Sequence, residues 1–71
     1  MLKTYRTTAG DFRFRVTEET TDQEIAVKIA KRLGYRDAWV TRGSGFYEWT
    51  ANIGTWRDGC LHVARTVTVY R

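Results

Sequence analysis

The 71-residue chain has no proline and only one cysteine. A single cysteine excludes an intrachain disulfide, and the sequence shows no ligand spacing typical of a structural metal site. A chain of this length forms one domain, here residues 1–71, and buries only about 60% of its unfolded surface. We therefore expect a small core made of aliphatic and aromatic side chains, or one that a partner completes.

Long apolar runs are also missing, because the longest are Ile25-Ala26-Val27 and Ala38-Trp39-Val40. A membrane-spanning helix needs about 20 apolar residues, and no apolar segment follows Lys3 as a secretory signal requires. The lone Cys60 fits a reducing compartment. These absences predict a cytoplasmic protein that has no membrane partner.

The sequence carries no motif that names a reaction. Cys60 and His62 lie two residues apart on one predicted strand, so they project in parallel, and no third residue orients the histidine. Gly43-Ser44-Gly45 matches no glycine-rich phosphate motif and is not followed by a helix, which indicates a plain hairpin loop. We therefore predict a protein that is not an enzyme and that takes no cofactor, metal or small-molecule substrate.

One helix is predicted from about Asp22 to Leu33. Its start is a capping box, Thr21-Asp22-Gln23-Glu24, and apolar residues then recur along one helical face. Gly34 supplies the left-handed residue that commonly ends a helix. Basic residues near the end complement the helix dipole, which is a sufficient structural reason for their presence; they are Lys28, Lys31 and Arg32.

The rest of the chain alternates apolar and polar residues with period two, which predicts strands. The candidates are Leu2 to Thr8, a segment through Phe12, Phe14 and Val16, Ala38 to Arg42, Phe46 to about Ile53, and Cys60 to Tyr70. The element order is then β-β-α-β-β-β. This order predicts a two-layer α+β domain, with one helix packed on a roughly five-stranded antiparallel sheet.

The last predicted hairpin turns at Asp58-Gly59, a strong hairpin signal. A regular ladder from this turn would point Trp49 away from the valines of the last strand. One extra residue near Ile53-Gly54 repairs the register, because a one-residue slip moves every side chain to the other face. With this bulge the predicted core members are Tyr47, Trp49, Ala51, Val63, Val67 and Val69. The predicted residues on the uncovered face are Phe46, Glu48, Thr50, His62, Thr66, Thr68 and Tyr70.

Arginine makes up nine of the twelve basic residues in a chain of net charge +4, and half of the acids fall within residues 16–24. In the first hairpin, a two-residue loop at Gly10-Asp11 or Ala9-Gly10 places Arg6 opposite Arg15 or Arg13. All three arginines then share one sheet face. Like charges directly opposite each other are destabilising, and an anionic partner would offset that repulsion. A three-residue loop would pair Arg6 with Phe14 and remove the cluster.

Two aromatic residues, Phe46 and Tyr70, are expected on the same uncovered face as the arginines. Rings beside arginines suit single-stranded nucleic acid, because bases stack on rings and guanidinium groups. The same residue types dominate protein–protein hot spots, so the composition leaves both partners open. The predicted partner-binding residues are Arg6, Arg13, Arg15, Phe46, His62 and Tyr70.

A strand–capped helix–strand unit runs from Phe14-Arg15-Val16 through Thr21–Lys31 into Ala38-Trp39-Val40. In its organisation this unit resembles small phage-encoded inhibitors, the anti-CRISPR and host-takeover proteins. The resemblance implies a blocking role against a host protein or ribonucleoprotein. The basic charge of this chain departs from the acidic nucleic-acid mimics found among such inhibitors. Direct binding of single-stranded RNA or DNA is the alternative function.

Overall fold

The computed structural model describes residues 1–43 and 45–71, and the predicted α+β element order is confirmed. The elements are β1 (Leu2–Thr7), β2 (Gly10–Arg15), α1 (Asp22–Arg32), β3 (Asp37–Arg42), β4 (Tyr47–Arg57) and β5 (Cys60–Tyr70). The strands form an antiparallel sheet in the order β2-β1-β5-β4-β3. Helix α1 packs on one face of this sheet, over β3 and β4; we call the opposite face the open face. The loop predicted at Gly43-Ser44-Gly45 includes Ser44, which lies outside the described residues.

Helix α1 begins and ends through the predicted caps. The Thr21 hydroxyl accepts a hydrogen bond from the Glu24 amide at 3.2 Å. At the other end Gly34 has a φ of 88°, and the Tyr35 amide donates to the Ala30 carbonyl at 2.9 Å. This pair of features is a Schellman motif, which satisfies carbonyls that the last turn leaves free.

The side chain of Gln23 fixes α1 against the outer edge of β3. Its Nε2 donates to the Ala38 carbonyl at 2.6 Å, and its Oε1 accepts from the Val40 amide at 3.1 Å. The amide group therefore makes the two hydrogen bonds that a neighbouring strand would make. This contact occupies part of an edge that would otherwise be open to strand addition.

The core lies between α1 and the covered face of the sheet. The ring of Tyr5 lies 6.1 Å from that of Phe14 and 6.4 Å from that of Trp49, between centroids. These contacts join the β1–β2 hairpin to the larger β3–β5 part of the sheet. The buried core residues are Tyr5, Phe14, Val16, Ile25, Ala26, Ile29, Ala30, Ala38, Trp49, Ala51, Ile53, Val67 and Val69.

The turn of the first hairpin differs from both predicted positions, since it lies at Thr8-Ala9. The Thr7 hydroxyl accepts from the Ala9 amide at 3.0 Å and donates to the Gly10 carbonyl at 2.6 Å. Threonine thus organises the turn through local side-chain bonds, and Gly10 opens the next strand with a φ of 108°.

This turn keeps Arg6, Arg13 and Arg15 on the open face but changes their partners. Arg6 lies opposite Asp11, Arg13 opposite Thr4, and Arg15 opposite Leu2. The predicted pairing of Arg6 with another arginine is therefore wrong, and a ladder pair of opposite charge takes its place.

The last hairpin turns at Asp58-Gly59 as predicted, with φ values of 52° and 74°. Positive φ at both central residues is typical of a type I′ turn. The register shifts beside Ile53 and Gly54, where a bulge was predicted, but the extra residue is Ala64 on β5. Gly54 is required at this point because a Cβ there would collide with the His62 carbonyl oxygen.

A second irregularity at the start of β4 changes the predicted faces further. Glu48 is the extra residue there, so Tyr47 pairs with Tyr70 on the open face. The predicted burial of Trp49, Ala51, Val67 and Val69 is confirmed. The predicted burial of Tyr47 and Val63 is wrong, since these side chains are 43% and 51% exposed.

Two predicted members of the uncovered face also lie elsewhere. His62 pairs with Thr55, which alternates with buried Ile53, so His62 lies on the helix side of the sheet and not with Thr66 and Thr68. Phe46 lies in the turn before β4 and is 86% exposed. Strand β4 also runs past Ile53 to Arg57, because its pairing with β5 continues to the Asp58-Gly59 turn.

Strand β5 has neighbours on both sides only near its C-terminal end. Its ladder with β1 consists of the pair Thr7–Val69. Beside it, the Thr8 amide donates to the Thr68 carbonyl at 3.0 Å, and the Thr68 amide donates to the Thr8 hydroxyl at 3.1 Å. Within the described residues, the part of β5 over residues 60–66 pairs with β4 alone.

Candidate interaction surface

Arg6, Arg13 and Arg15 form an exposed group on the open face of the β1–β2 hairpin, which we call the arginine cluster. The two-residue turn places even-numbered residues of β1 and odd-numbered residues of β2 on one face. The phenylalanines of β2 are thereby turned toward the helix side. Exposed guanidinium groups can make bidentate hydrogen bonds to carboxylate or phosphate. Asp11, opposite Arg6, reduces the positive charge at one end of the cluster.

Tyr70 lies on the open face beside Tyr47, and we call these two residues the tyrosine pair. Their ring centroids are 5.6 Å apart, with 38° between the ring planes. The Tyr47 carbonyl also accepts a hydrogen bond from Arg71 Nε at 3.3 Å. Tyr70 was predicted on this surface, whereas Tyr47 reaches it through the irregularity at Glu48.

Two tryptophans on the open face of β3–β5 line an apolar hollow, which we call the tryptophan pocket. Trp39 is 56% exposed and Trp56 is 48% exposed. The pocket has a volume of about 320 Å³ and is lined by Trp39, Asn52, Trp56, Leu61 and Val63. Gly54 lies between Asn52 and Trp56 in β4 and pairs with Val63, which lines the pocket from β5.

Hydrogen bonds hold the strands that form the tryptophan pocket. Asn52 Nδ2 donates to the Trp39 carbonyl at 3.1 Å, and the Asp37 carboxylate accepts from the Trp56 amide at 3.0 Å. Sequence reasoning missed the pocket because Trp39 lies between Ala38 and Val40, so alternation does not show which face it occupies. The available signal was the Asp58-Gly59 turn, which pairs Trp56 with Leu61.

A basic cleft lies on the opposite, helix-covered side of the molecule. Arg32 Cζ lies 5.1 Å and Lys28 Nζ 6.0 Å from the centroid of the Phe14 ring. With Lys31 these residues line a cleft of about 400 Å³. Cation–ring contacts add to the helix dipole as reasons for these bases, so the cleft has a structural role of its own.

Cys60 and His62 lie at the start of β5, at the end of the strand next to the Asp58-Gly59 turn. Cys60 pairs with Arg57 and His62 with Thr55, and the thiol is 3.9 Å from the Leu61 carbonyl oxygen.

Within residues 1–43 and 45–71, no group of three His, Cys, Asp or Glu side chains could hold a metal ion. Over the same residues, no helix is long and apolar enough to cross a membrane.

Comparison of the chain with known protein families, with curated proteins and with solved structures found no match. Its function must therefore be inferred from its own surfaces. The arginine cluster, the tyrosine pair and the tryptophan pocket all lie on the face of the sheet that α1 leaves uncovered.

Proposed function

We propose that this chain is a non-enzymatic cytoplasmic binding domain that docks its open face on a larger host protein or nucleoprotein complex. The observation that carries the proposal is the tryptophan pocket, because Trp39 and Trp56 remain about half exposed on a sheet face without a covering layer. Tryptophan, tyrosine and arginine are the residue types enriched at protein–protein hot spots. An apolar patch with polar surroundings typically marks an interaction site.

The open face is large enough for a stable interface. The two longer dimensions of the molecule are 36 and 25 Å, and a standard interface buries about 800 Å² on each partner. In the proposed complex the tryptophan pocket receives an apolar side chain of the partner. The arginine cluster meets an acidic region, which the net charge of +4 also favours through faster association.

The proposed role of the complex is inhibition. The strand–helix–strand unit resembles that of small phage-encoded inhibitors, and such a role needs only a surface that covers a working site of the partner. The helix-backed sheet offers a preorganised surface for this purpose, since preorganisation lowers the entropy lost on binding.

Direct binding of single-stranded RNA or DNA is the second candidate, and the tyrosine pair favours it. Tyr47 and Tyr70 present ring surface on the same face as the arginine cluster, and bases stack on such rings. The apolar lining of the tryptophan pocket and the position of Asp11 beside Arg6 favour a protein partner instead. Salt separates the two, because affinity for single-stranded nucleic acid falls by roughly two to three orders of magnitude between ~50 and ~200 mM salt when six phosphates are contacted.

Charge reversal tests the proposed face. The double variant Arg13→Glu, Arg15→Glu should lower partner affinity by about a hundredfold or more, since each charge-assisted contact contributes ~1.5–3 kcal/mol. The matched control is Lys28→Glu, Lys31→Glu, which makes the same change of charge at the basic cleft and should lower affinity only a few-fold. Equal losses from both pairs would show that only net charge matters and would overturn the specific face.

Capture of the partner from cell lysate, with and without nuclease, is the measurement that compares these variants. A partner that survives nuclease and is lost with the Arg13, Arg15 variant supports the proposal. A partner that disappears with nuclease supports the nucleic-acid alternative. The free energy of unfolding of the Arg13, Arg15 variant should change by less than about 0.5 kcal/mol per exposed position. The Lys28, Lys31 variant should lose up to about 1 kcal/mol per position, because it reverses charges that complement the helix dipole. Thermal unfolding of both variants checks that the fold survives.

A further inference from the structure

The geometry points to a second element of recognition, the outer edge of β5 over residues 60–66. We propose that an extended segment of the protein partner adds to this edge as a further strand of the sheet. The segment carries apolar side chains on the face above the tryptophan pocket and acidic side chains on the other. This inference rests on the proposed function and specifies which part of the partner the chain binds.

The backbone of this edge is free to pair. Within residues 1–43 and 45–71, β5 pairs with β4 along its length and with β1 only at Thr7–Val69. The side chains of residues 62–66 are exposed. An exposed strand edge presents rows of amide and carbonyl groups that template the addition of another strand.

The two outermost strands of the sheet, β3 and β2, have edges that are protected in ways that this one is not. On the edge of β3, the Ala38 carbonyl and the Val40 amide are already hydrogen-bonded to the side chain of Gln23. The edge of β2 carries charged side chains, Arg13 and Arg15 among them, and charges on an edge disfavour strand addition. Over residues 60–64 the edge of β5 has no aspartate, glutamate, lysine or arginine.

The apolar side of the added strand follows from the register of β5. Leu61 pairs with Trp56 and Val63 with Gly54, so both point to the open face and line the tryptophan pocket. A neighbouring strand lies about 4.8 Å away, and directly opposite side chains contact each other. Alternate residues of the added strand would therefore cover Leu61 and Val63 and shield the pocket from water.

The acidic side follows from the opposite face of the same edge. His62 and Arg65 pair with Thr55 and Ile53 of β4, so both lie on the helix side of the sheet. Both side chains are exposed. The bulge at Ala64 interrupts the edge, so regular pairing is expected along Cys60–Val63, with Arg65 just beyond it. A second copy of this chain is a poorer occupant, because it would bring another Arg65 and another net charge of +4 to the junction.

A synthetic heptapeptide of alternating glutamate and valine, blocked at both ends, is the probe. Its binding is followed by backbone amide exchange of the whole chain in NMR. We expect saturable binding and exchange slowed by about tenfold or more for the outward-facing amides within residues 60–65. The same peptide N-methylated at alternate residues, and its lysine-for-glutamate analogue, should both bind much more weakly.

Three protein variants extend this test. Arg65→Glu should weaken peptide binding several-fold, roughly threefold or more for an exposed charge pair. Arg36→Glu makes the same change at an exposed residue between α1 and β3 and should leave peptide binding unchanged. Val63→Lys should also weaken binding, since it places a charge on the edge beside the pocket.

Three outcomes would overturn the edge proposal. These are no saturation up to millimolar peptide, equal binding of the N-methylated peptide, or protection confined to β1 and β2. Slowed exchange at residues 60–66 with rising protein concentration alone, together with a doubled mass in sedimentation, would assign the edge to a second copy instead.

If the peptide does not bind while Arg13→Glu, Arg15→Glu still abolishes partner capture, only the edge proposal is wrong. If the peptide binds but the Arg13→Glu, Arg15→Glu variant still captures the partner normally, the arginine face of the proposed function is wrong.

Discussion

The two halves of β5 have similar alternating sequences but different surroundings. Val67 and Val69 lie in the core, where β1 and β4 flank the strand, and are 0% and 1% exposed. Val63, four residues before Val67, is 51% exposed and has a strand on one side only. The bulge at Ala64 separates the halves and turns Val63 to the open face. The same apolar alternation therefore builds a core in one half and a binding surface in the other.

The largest expected effect comes from the residue that faces the bulge. Gly54→Ala puts a methyl group against the His62 carbonyl oxygen, so the β4–β5 backbone must move. We expect the free energy of unfolding to fall by more than about 3 kcal/mol, at the upper end of overpacking costs. Urea unfolding followed by tryptophan fluorescence measures this change.

The control for this variant is a glycine with open space around it. A Cβ at Gly59 meets no atom within 4 Å, although its φ is 74°. Gly59→Asn should lower stability by less than about 1 kcal/mol, because asparagine tolerates the left-handed region. Similar losses in Gly54→Ala and Gly59→Asn would show that the close approach at the bulge is not rigid.

Two identical substitutions on one strand compare its halves directly. Val67→Ala should cost about 2 kcal/mol of stability, the value for removing most of a fully buried valine side chain. Val63→Ala should cost less than about 0.5 kcal/mol, because half of that side chain is already in water. Its main effect should be weaker binding of the glutamate–valine peptide. Denaturant unfolding and peptide titration of both variants, side by side, provide the measurement.

A stability loss at Val63 as large as that at Val67 would contradict the division of β5 into core and surface halves. A normal peptide affinity in Val63→Ala would weaken the link between the tryptophan pocket and the edge. The first result concerns the fold, and the second concerns only the binding surface.

The smallest effect at neutral pH is expected at Tyr5, where the β1–β2 hairpin meets the core. Burial raises the pKa of its hydroxyl above the ordinary value of 10.0, and the carboxylates of Asp22 and Glu48 raise it further. The folded state therefore holds this proton more tightly than the unfolded state. Its contribution to stability is complete below about pH 10 and is lost as the pH rises toward the higher folded pKa.

Tyr5→Phe removes this titration while it keeps the ring against Phe14 and Trp49. The variant should have nearly the stability of the original chain at neutral pH and should lose less of it above about pH 10. Unfolding free energies from about pH 8 to about pH 11 measure the difference. Parallel curves for the two proteins would contradict a raised pKa at Tyr5.

Local sequence signals predicted the elements of the fold well. The cap at Thr21, the left-handed Gly34 and the Asp58-Gly59 turn each act within a few residues, so their physical effect is readable from the chain. The first turn was misplaced because Thr7 organises it through its hydroxyl while the glycine that marks a turn lies one step later.

Residue faces were harder to predict because they depend on register between distant strands. Nothing near Ala64 marks it as the extra residue of a bulge, and the clue, Gly54, lies on the opposite strand. One misplaced residue was enough to put Val63 in the predicted core and His62 on the wrong face. The arginine cluster was predicted correctly because both two-residue loops considered, and the one observed, preserve the same parity.

The junction between β1 and β5 also sets an order of events in folding. Thr8 and Thr68 meet across a separation of 60 residues, whereas β3, β4 and β5 each pair with a neighbour in sequence. Closing a long loop costs entropy before its contacts form, so local hairpins assemble faster than distant strand pairs. The β1–β2 hairpin is therefore expected to dock last. Until it does, Val67, Val69 and Trp49 lack part of their cover, and the nascent sheet is most exposed to aggregation during that interval.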